Sequence, residues 1–292
     1  MAHIPQRRPE NIKGDFYVDT TCIDCDTCRW MAPAVFHQAG DQSAVYHQPS
    51  NETERLQAMQ ALLSCPTSSI GTVEKPIDIK EVQNTFPLLV ADPVYHCGFH
   101  SKKSYAAASY LILRPEGNIL VDSPRFVPPL VKRIEEMGGI RYLYLTHKDD
   151  VADHEQFRNH FGCDRILHAD ELGSNIREVE IKLTGDRPYQ LADDLLIIPV
   201  SGHTKGHTVL LYDRQFLFTG DHLAWSDELH HLFAFPEVCW YSWPEQIKSM
   251  RKLAAYSFEW VLPGHGRRYH ADKQTMQQQM QQCITWMEAY QN

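Results

Sequence analysis

Four cysteines near the N-terminus constrain this chain more than any other feature. Cys22, Cys25 and Cys28 form a C-x2-C-x2-C run, and the next cysteine, Cys65, directly precedes Pro66. No apolar run typical of a secretory signal follows the first arginines, so we expect a reducing, cytoplasmic compartment in which thiols stay free. Thiols at such close spacing are then more typical of metal or cluster ligands than of disulfides.

The segment YVDTTCIDCDTCRWMAPAVF, with the later CPTSSI, resembles a single-cluster bacterial-type ferredoxin over about residues 15–80. The resemblance implies a [4Fe-4S] cluster, because four thiolates saturate one such cluster. Its implied ligands are Cys22, Cys25, Cys28 and Cys65. A structural zinc site is the alternative, although zinc sites usually show two C-x2-C pairs rather than a triple.

The region around residue 86 predicts a domain boundary. Residues 76–93, PIDIKEVQNTFPLLVADP, contain three prolines and no strong amphipathic period. Before them, Asn51 as N-cap with Glu54 at the third helical position predicts a helix that returns the chain to the cysteines. We therefore predict a ferredoxin-like domain at residues 1–85 and a second domain at residues 86–292, where strand-like and helical patterns alternate.

Histidines and aspartates follow apolar strands at four places in the second domain. THKDDVADH begins at Thr146, and SGHTKGH, FTGDH and LPGHG follow in that order. Imidazole and carboxylate groups concentrated in this way indicate metal ligands. Together with Asp122 in VDSPR, these motifs resemble the metallo-β-lactamase fold superfamily over residues 90–292. The predicted fold class is thus α+β, a ferredoxin-like domain followed by an αββα sandwich.

The resemblance implies two neighbouring metal ions that share one bridging carboxylate. The implied ligands are His147 and His203 for the first ion, Asp153, His154 and His265 for the second, and Asp221 as the bridge. Asp122 is interpreted as a hydrogen-bond acceptor that holds the metal loops, and His207 and His222 as supporting residues.

The first metal loop departs from the usual pattern of that superfamily, H-x-H-x-D-H. His147 to His154 spans eight residues here, and the second histidine is missing. Asp149 in H-x-D spacing, or else Asp150, is the substitute. Such oxygen ligation makes iron or manganese more plausible and still permits zinc, so we expect one or two Zn or Fe ions.

The resemblance implies hydrolysis by a metal-bound hydroxide, because two cations polarise a carbonyl oxygen and lower the pKa of a bridging water to about 7. Asp153 is the expected catalytic residue that orients the hydroxide. Only 43 residues separate Asp221 from His265, too few for the inserted domain of the superfamily's nucleases. The net charge of −9 also disfavours nucleic acid and membranes as partners. The expected substrate is a small ester, thioester or lactone, and the aromatic residues between 225 and 243 line its pocket or belong to the core.

A redox function stays open because a hydrolase needs no electrons. In that alternative the cluster passes electrons from a redox partner protein to a mono- or di-iron site. Flavodiiron proteins are similar in placing a carboxylate in H-x-E, the position that Asp149 occupies here. A third alternative is a sensor or scaffold whose cluster only stabilises the fold.

Overall fold

The computed structural model describes residues 2–290, and the chain divides into two compact units. One unit runs up to Asn118 and includes Pro124–Ile140, and the other comprises Ile119–Ser123 and the residues from Arg141 onward. This division follows spatial contacts; the domain boundary near residue 86 stays a prediction. Within residues 2–290, every helix is too short or too polar to traverse a lipid bilayer.

The first unit combines short helices with small antiparallel sheets. Its helices are α1 (Thr27–Met31), α2 (Glu52–Ser64), α3 (Ile79–Gln83) and α4 (Pro128–Glu136). Its strands are β1 (Phe16–Val18), β2 (Phe36–Ala39), β3 (Gln42–Val45), β4 (Ile70–Thr72), β5 (Leu88–Ala91), β6 (Val94–His96) and β7 (Tyr110–Ile112). β1 pairs with β4, β2 with β3, and β5, β6 and β7 form an antiparallel meander.

Helix α2 begins where the sequence predicts. The Asn51 side chain accepts a hydrogen bond from the Glu54 backbone N–H at 2.9 Å, and Glu54 in turn accepts one from the Ser50 backbone N–H at 2.8 Å. These contacts satisfy donors that have no partner within the first turn. The helix ends at its C-cap residue Cys65, so it brings that thiol back toward the earlier cysteines.

The second unit contains two sheets and three of the helices in the described part of the chain. The helices are α5 (His154–Phe161), α6 (Trp243–Leu253) and α7 (Lys273–Tyr290). The strands are β8 (Ile119–Val121), β9 (Tyr142–Tyr144), β10 (Asp164–His168), β11 (Ile181–Leu183), β12 (Tyr189–Ala192), β13 (Leu195–Pro199), β14 (Thr208–Tyr212), β15 (Phe216–Gly220), β16 (Ala224–Ser226), β17 (His231–Phe233), β18 (Trp260–Pro263) and β19 (Tyr269–His270).

Strands β8 to β11 are parallel, in the order β11-β10-β9-β8. The second sheet has the order β12-β13-β14-β15-β18-β19, in which only the β15–β18 pair is parallel. β16 and β17 form a separate hairpin.

The core of the second unit lies between its six-stranded sheet and helices α6 and α7. Buried aliphatic side chains from β13, β14, β15 and β18 pack there against α6 and α7. Met276, Met280, Cys283 and Met287, at helical spacing, are all buried on one face of α7. Each buried apolar side chain of this size stabilises the fold by about 1.5–3 kcal/mol. The packed sheet therefore holds the loops at its strand ends in fixed positions.

Candidate metal centre and cluster site

The first unit brings its four predicted cluster cysteines around one small cavity. The cysteines that line it are Cys22, Cys25, Cys28 and Cys65. The first two lie on the loop before α1, the third is on α1, and the fourth is at the C-cap of α2. Cys28 and Cys65 are buried, whereas Cys22 and Cys25 are half-buried.

The loop between the cysteines adopts an unusual backbone conformation. Asp24 and Asp26 have φ values of 58° and 65°, a left-handed region that aspartate tolerates better than most residues. Arg29 Nη1 donates to Asp24 at 2.6 Å, and Arg29 Nε donates to Asp26. Arg29, which the spacing of the cysteines did not reveal, holds the loop in place.

The electrostatics of the cavity fit a bound iron–sulfur cluster. Burial raises the pKa of the Cys25 thiol to about 11, against the opposing hydrogen bonds with Thr27, and it raises the pKa of Cys28 further. Thiolates therefore need compensating positive charge here, which iron supplies. The Ser69 backbone N–H already points at Cys65 Sγ, at 3.2 Å. Hydrogen bonds of this kind tune cluster potentials.

The second unit places its candidate metal ligands after the ends of separate strands. His147 follows β9, His203 follows β13, Asp221 directly follows β15, and His265 follows β18. Asp122, just after β8, accepts hydrogen bonds from the Thr146 backbone N–H at 2.8 Å and from its hydroxyl at 3.1 Å. Asp122 thus holds the start of the His147 loop, in agreement with its predicted role.

The potential ligand atoms form two groups that share His147. One group is His147, Asp149 and His203, and the other is His147, Asp150 and Asp221; in each, the ligand atoms lie within 4.8 Å of one another. Asp221 Oδ2 is 3.7 Å from His147 Nε2 and 3.6 Å from His203 Nε2.

His265 lies beside these groups without belonging to either. Its Nδ1 is 2.7 Å from the other carboxylate oxygen of Asp221, Oδ1. The structure thus brings four of the predicted ligands, together with the alternative Asp150, around Asp221. The four are His147, Asp149, His203 and His265.

Several of these donor atoms are buried and have no hydrogen-bond partner in the described part of the chain, residues 2–290. They are both ring nitrogens of His203, His147 Nε2, and both carboxylate oxygens of Asp150. An unsatisfied buried polar group costs about 1–3 kcal/mol, so five such atoms in one place are difficult to explain as structure alone. Their convergence fits a bound metal ion, which would satisfy the donors that face it.

The charges in the centre also favour a cation. Burial lowers the pKa of His147 to about 3 and lowers that of His203, so both imidazoles are neutral, the form that binds metals. Burial, with the charges of Asp221 and Asp122, raises the pKa of Asp150 well above its ordinary value. Burial would also raise the pKa of Asp221, but the nearby histidines, His265 foremost, lower it. A divalent cation would relieve the repulsion among these carboxylates.

Asp153 and His154 do not join the two groups of potential ligand atoms found in residues 2–290. His154 is the first residue of α5, with Nδ1 3.1 Å from Arg165 Nη1 and Nε2 3.3 Å from the Asn175 carbonyl oxygen. The loop is two residues longer than the usual motif, so the chain has already entered a helix where those ligands are expected. Their assignment, and the catalytic role of Asp153, stay predictions that the geometry does not favour.

The burial of Asp150 and the contacts of Glu171 were not predicted from the sequence. Asp150, ranked below Asp149 from spacing, is 1% exposed, whereas the Asp149 side chain is 41% exposed. Glu171, which belongs to no motif, is buried and accepts hydrogen bonds from the backbones of two metal loops.

His207, predicted as a supporting residue, stacks on His147 with ring centroids 4.8 Å apart and accepts a hydrogen bond from the Asp221 backbone N–H.

The aromatic segment divides between core and surface. Trp225 stacks on Tyr269 at 4.2 Å between ring centroids, and Trp243 packs against Trp286 of α7. Trp240 and Tyr241 are instead 64% and 49% exposed.

Comparisons with known proteins match both parts of the chain. Residues 18–72 match the family described as the 4Fe-4S single cluster domain of Ferredoxin I. The structure is similar to VMB-1, with a TM-score of 0.55 and 15% identity over 70% of this chain and 96% of that one. It is also similar to a metallo-β-lactamase from Pontibacter korlensis, with a TM-score of 0.54 and 14% identity over 68% and 97% of the two chains. The metallo-β-lactamase FIM-1 from Pseudomonas aeruginosa, solved in its mono-zinc form, gives 0.51 and 16% over 68% and 93%.

At these identities the structural likeness concerns the fold alone. The family match confirms the resemblance to a ferredoxin, and the structural likeness confirms the α+β class and the resemblance to the metallo-β-lactamase fold. The chain therefore carries a single-cluster 4Fe-4S ferredoxin domain at residues 18–72, together with a metallo-β-lactamase fold.

Proposed function

We propose that the metallo-β-lactamase-fold part of this chain is a metal-dependent hydrolase of a small ester, thioester or lactone. The observation that carries this proposal is the convergence of buried, unpartnered donor atoms from His147, His203 and Asp150 beside Asp221. The proposed ligands are His147, His203 and Asp221, with Asp149, Asp150 or both supplying the carboxylate in place of the missing histidine. His265 completes the set through its contact with Asp221.

A divalent ion bound there would polarise the scissile carbonyl and make water acidic enough to react near neutral pH. The protein would supply position and access. The side chains of Asp149 and His265 are 41% and 23% exposed, so they form the part of the centre that a substrate reaches first. Asp221 and Asp150 lie behind them, at 10% and 1% exposure.

Trp240 and Tyr241 support a substrate with an apolar group. Their backbone N–H groups both donate to the carbonyl oxygen of His203, at 2.9 and 3.1 Å, and Ser242 N–H donates to Gly202 O at 3.0 Å. The aromatic segment is therefore fastened to a metal loop while both rings stay exposed. Aromatic side chains in such a position offer apolar contact area at little cost in conformational entropy.

For the N-terminal domain we propose an accessory [4Fe-4S] cluster bound by Cys22, Cys25, Cys28 and Cys65. The half-buried positions of Cys22 and Cys25 support access for a redox partner protein from that side of the cavity. The net charge of −9 supports a small-molecule substrate over a nucleic acid.

The test is metal analysis combined with a substrate panel. Protein purified without oxygen is assayed for iron, sulfide and zinc, and then with acyl thioesters, esters and lactones, with the cluster oxidised and then reduced. We expect hydrolysis that is independent of the cluster state, and its loss in His203→Ala. His270→Ala is the control because His270 is exposed on β19 of the same sheet. Equal loss in both variants, or no hydrolysis of any substrate, would count against the proposal.

A redox enzyme is the second candidate, favoured by the donor set itself. Asp149, Asp150 and Asp221 contribute as many carboxylates as there are histidines around them, and hard oxygen ligands suit iron. Under this reading the cluster delivers electrons to a mono- or di-iron centre. Iron in the second site, with turnover only when an electron donor is present, would establish it in place of hydrolysis.

A further inference from the structure

Glu171 connects two loops of the proposed metal centre. It ends the 3-10 turn Ala169–Glu171, which follows β10, and it is 1% exposed. Its Oε2 accepts a hydrogen bond from the Lys148 backbone N–H at 3.0 Å, and its Oε1 accepts one from the Gly206 backbone N–H at 2.6 Å. Lys148 directly follows His147, and Gly206 lies three residues after His203.

A buried carboxylate that accepts one backbone N–H from each loop constrains the geometry of both. Hydrogen bonds from backbone N–H groups to an ionised carboxylate are short and directional, so they fix both loops relative to one oxygen pair. Burial raises the pKa of Asp149 and lowers that of His203; the Glu171 charge adds to the first effect and opposes the second. A negative charge beside the two loops favours a cation between them.

The sequence of the second loop is adapted to this contact. A Cβ on Gly206 would lie 3.0 Å from Glu171 Cγ and 2.6 Å from His168 Nδ1, too close for any other residue without a shift. Lys205 Nζ, one residue earlier, pairs with Asp170 Oδ2 at 3.3 Å. The turn at 169–171 and the loop at 203–207 are thus joined by two adjacent contacts.

We infer that Glu171 is a positioning residue for the metal centre: its carboxylate holds the His147 and His203 loops at the separation that lets their ligands bind one ion. This inference rests on the proposed metal centre but not on any substrate. Outer residues that orient ligands typically change metal affinity about 10- to 100-fold when they are replaced.

The test measures metal affinity rather than turnover. Full-length Glu171→Gln, with its cluster intact and the second site stripped of metal, is titrated with Zn²⁺ against a chromophoric chelator. Glutamine has nearly the same shape, but its amide nitrogen cannot accept the second N–H. We expect affinity to fall about 10- to 100-fold. Glu180→Gln is the matched control. Glu180 also accepts a hydrogen bond from a backbone N–H, that of Arg165 at 2.9 Å, but it lies outside both ligand groups. The Zn²⁺ affinity of this variant should therefore equal that of the wild-type protein.

A second variant and a second readout keep a folding defect separate from a positioning defect. Gly206→Ala leaves the Glu171 charge in place, but its Cβ would crowd His168 Nδ1 and Glu171 Cγ, so it should weaken Zn²⁺ binding as Glu171→Gln does. Urea denaturation of the metal-free proteins shows whether each variant is folded at the titration temperature. If folded Glu171→Gln bound Zn²⁺ with wild-type affinity, the inference about Glu171 would be wrong but the proposed function would stand. If the wild-type protein bound no metal in its second unit, both the inference and the proposed function would be wrong.

Discussion

Gly264 lets the backbone approach two candidate ligand carboxylates, and Gly264→Ala tests whether that approach matters. Its backbone N–H is held by the Gly220 carbonyl oxygen at 2.8 Å. A Cβ there would lie 2.7 Å from Asp150 Oδ2 and 3.0 Å from Asp221 Oδ1. Ordinary contacts begin at 3.4 Å, so the two oxygens would have to move by about 0.7 and 0.4 Å.

Both movements exceed the tolerance of about 0.2 Å for metal–ligand distances. Asp221 has little freedom to move because His265 Nδ1 lies 2.7 Å from its Oδ1. We therefore expect Gly264→Ala to weaken Zn²⁺ or Fe²⁺ binding about tenfold or more. Crowding in a packed interior should also lower the free energy of unfolding of the metal-free protein by about 1–3 kcal/mol.

Chelator competition measures the first effect, and urea denaturation of metal-free protein measures the second. Gly173→Ala is the matched control, because a Cβ at Gly173 meets nothing within 4 Å and the residue is exposed. If the two alanine variants bound metal equally well, Asp150 and Asp221 would not be the carboxylates that hold the ion at this place.

Three further predictions address the other sites. Cys25→Ser should remove most of the iron, the labile sulfide and the visible absorbance of anaerobically purified protein, whereas Cys97→Ser, buried outside the cavity, should keep them; equal spectra would contradict the ligand assignment. Asp150→Asn should lower metal affinity, measured by chelator competition, at least as much as Asp149→Asn, about tenfold or more, because the buried Asp150 carboxylate has no hydrogen-bond partner within residues 2–290; a loss confined to Asp149→Asn would support the H-x-D assignment. Burial tends to raise the pKa of Glu180, but hydrogen bonds from Arg165 outweigh burial and lower that pKa to about 2. This carboxylate therefore stabilises the fold above its unfolded pKa of about 4.3, and the stabilisation is lost as the pH falls toward 2. Glu180→Gln should accordingly destabilise the protein by about 1–3 kcal/mol in urea denaturation at about pH 6 and by less at about pH 3.5, and a pH-independent difference would refute the sign.

The cysteine positions show how far local spacing reaches. C-x2-C-x2-C places three thiols on one loop and the start of α1, and the capping residues at Asn51 and Glu54 predict the helix that returns Cys65. These relations depend on neighbours in the chain, so they could be inferred without a structure. The role of Arg29 could not, because its side chain contacts Asp24 and Asp26 only through the folded conformation of the loop.

In the second unit, the order of apolar runs and polar residues predicts which strand ends carry metal ligands. Each candidate histidine or aspartate stands after an apolar run, and the sheets bring His147, His203 and Asp221 together as that pattern predicts. The burial of Asp150, the separation of His154 from both ligand groups and the contacts of Glu171 follow instead from the packing of the folded chain. Each of these features depends on distances between loops that are far apart in the chain, because β10 and α5 pack beside the metal loops. The spacing of residues within one motif therefore does not predict where a neighbouring loop places its backbone N–H groups.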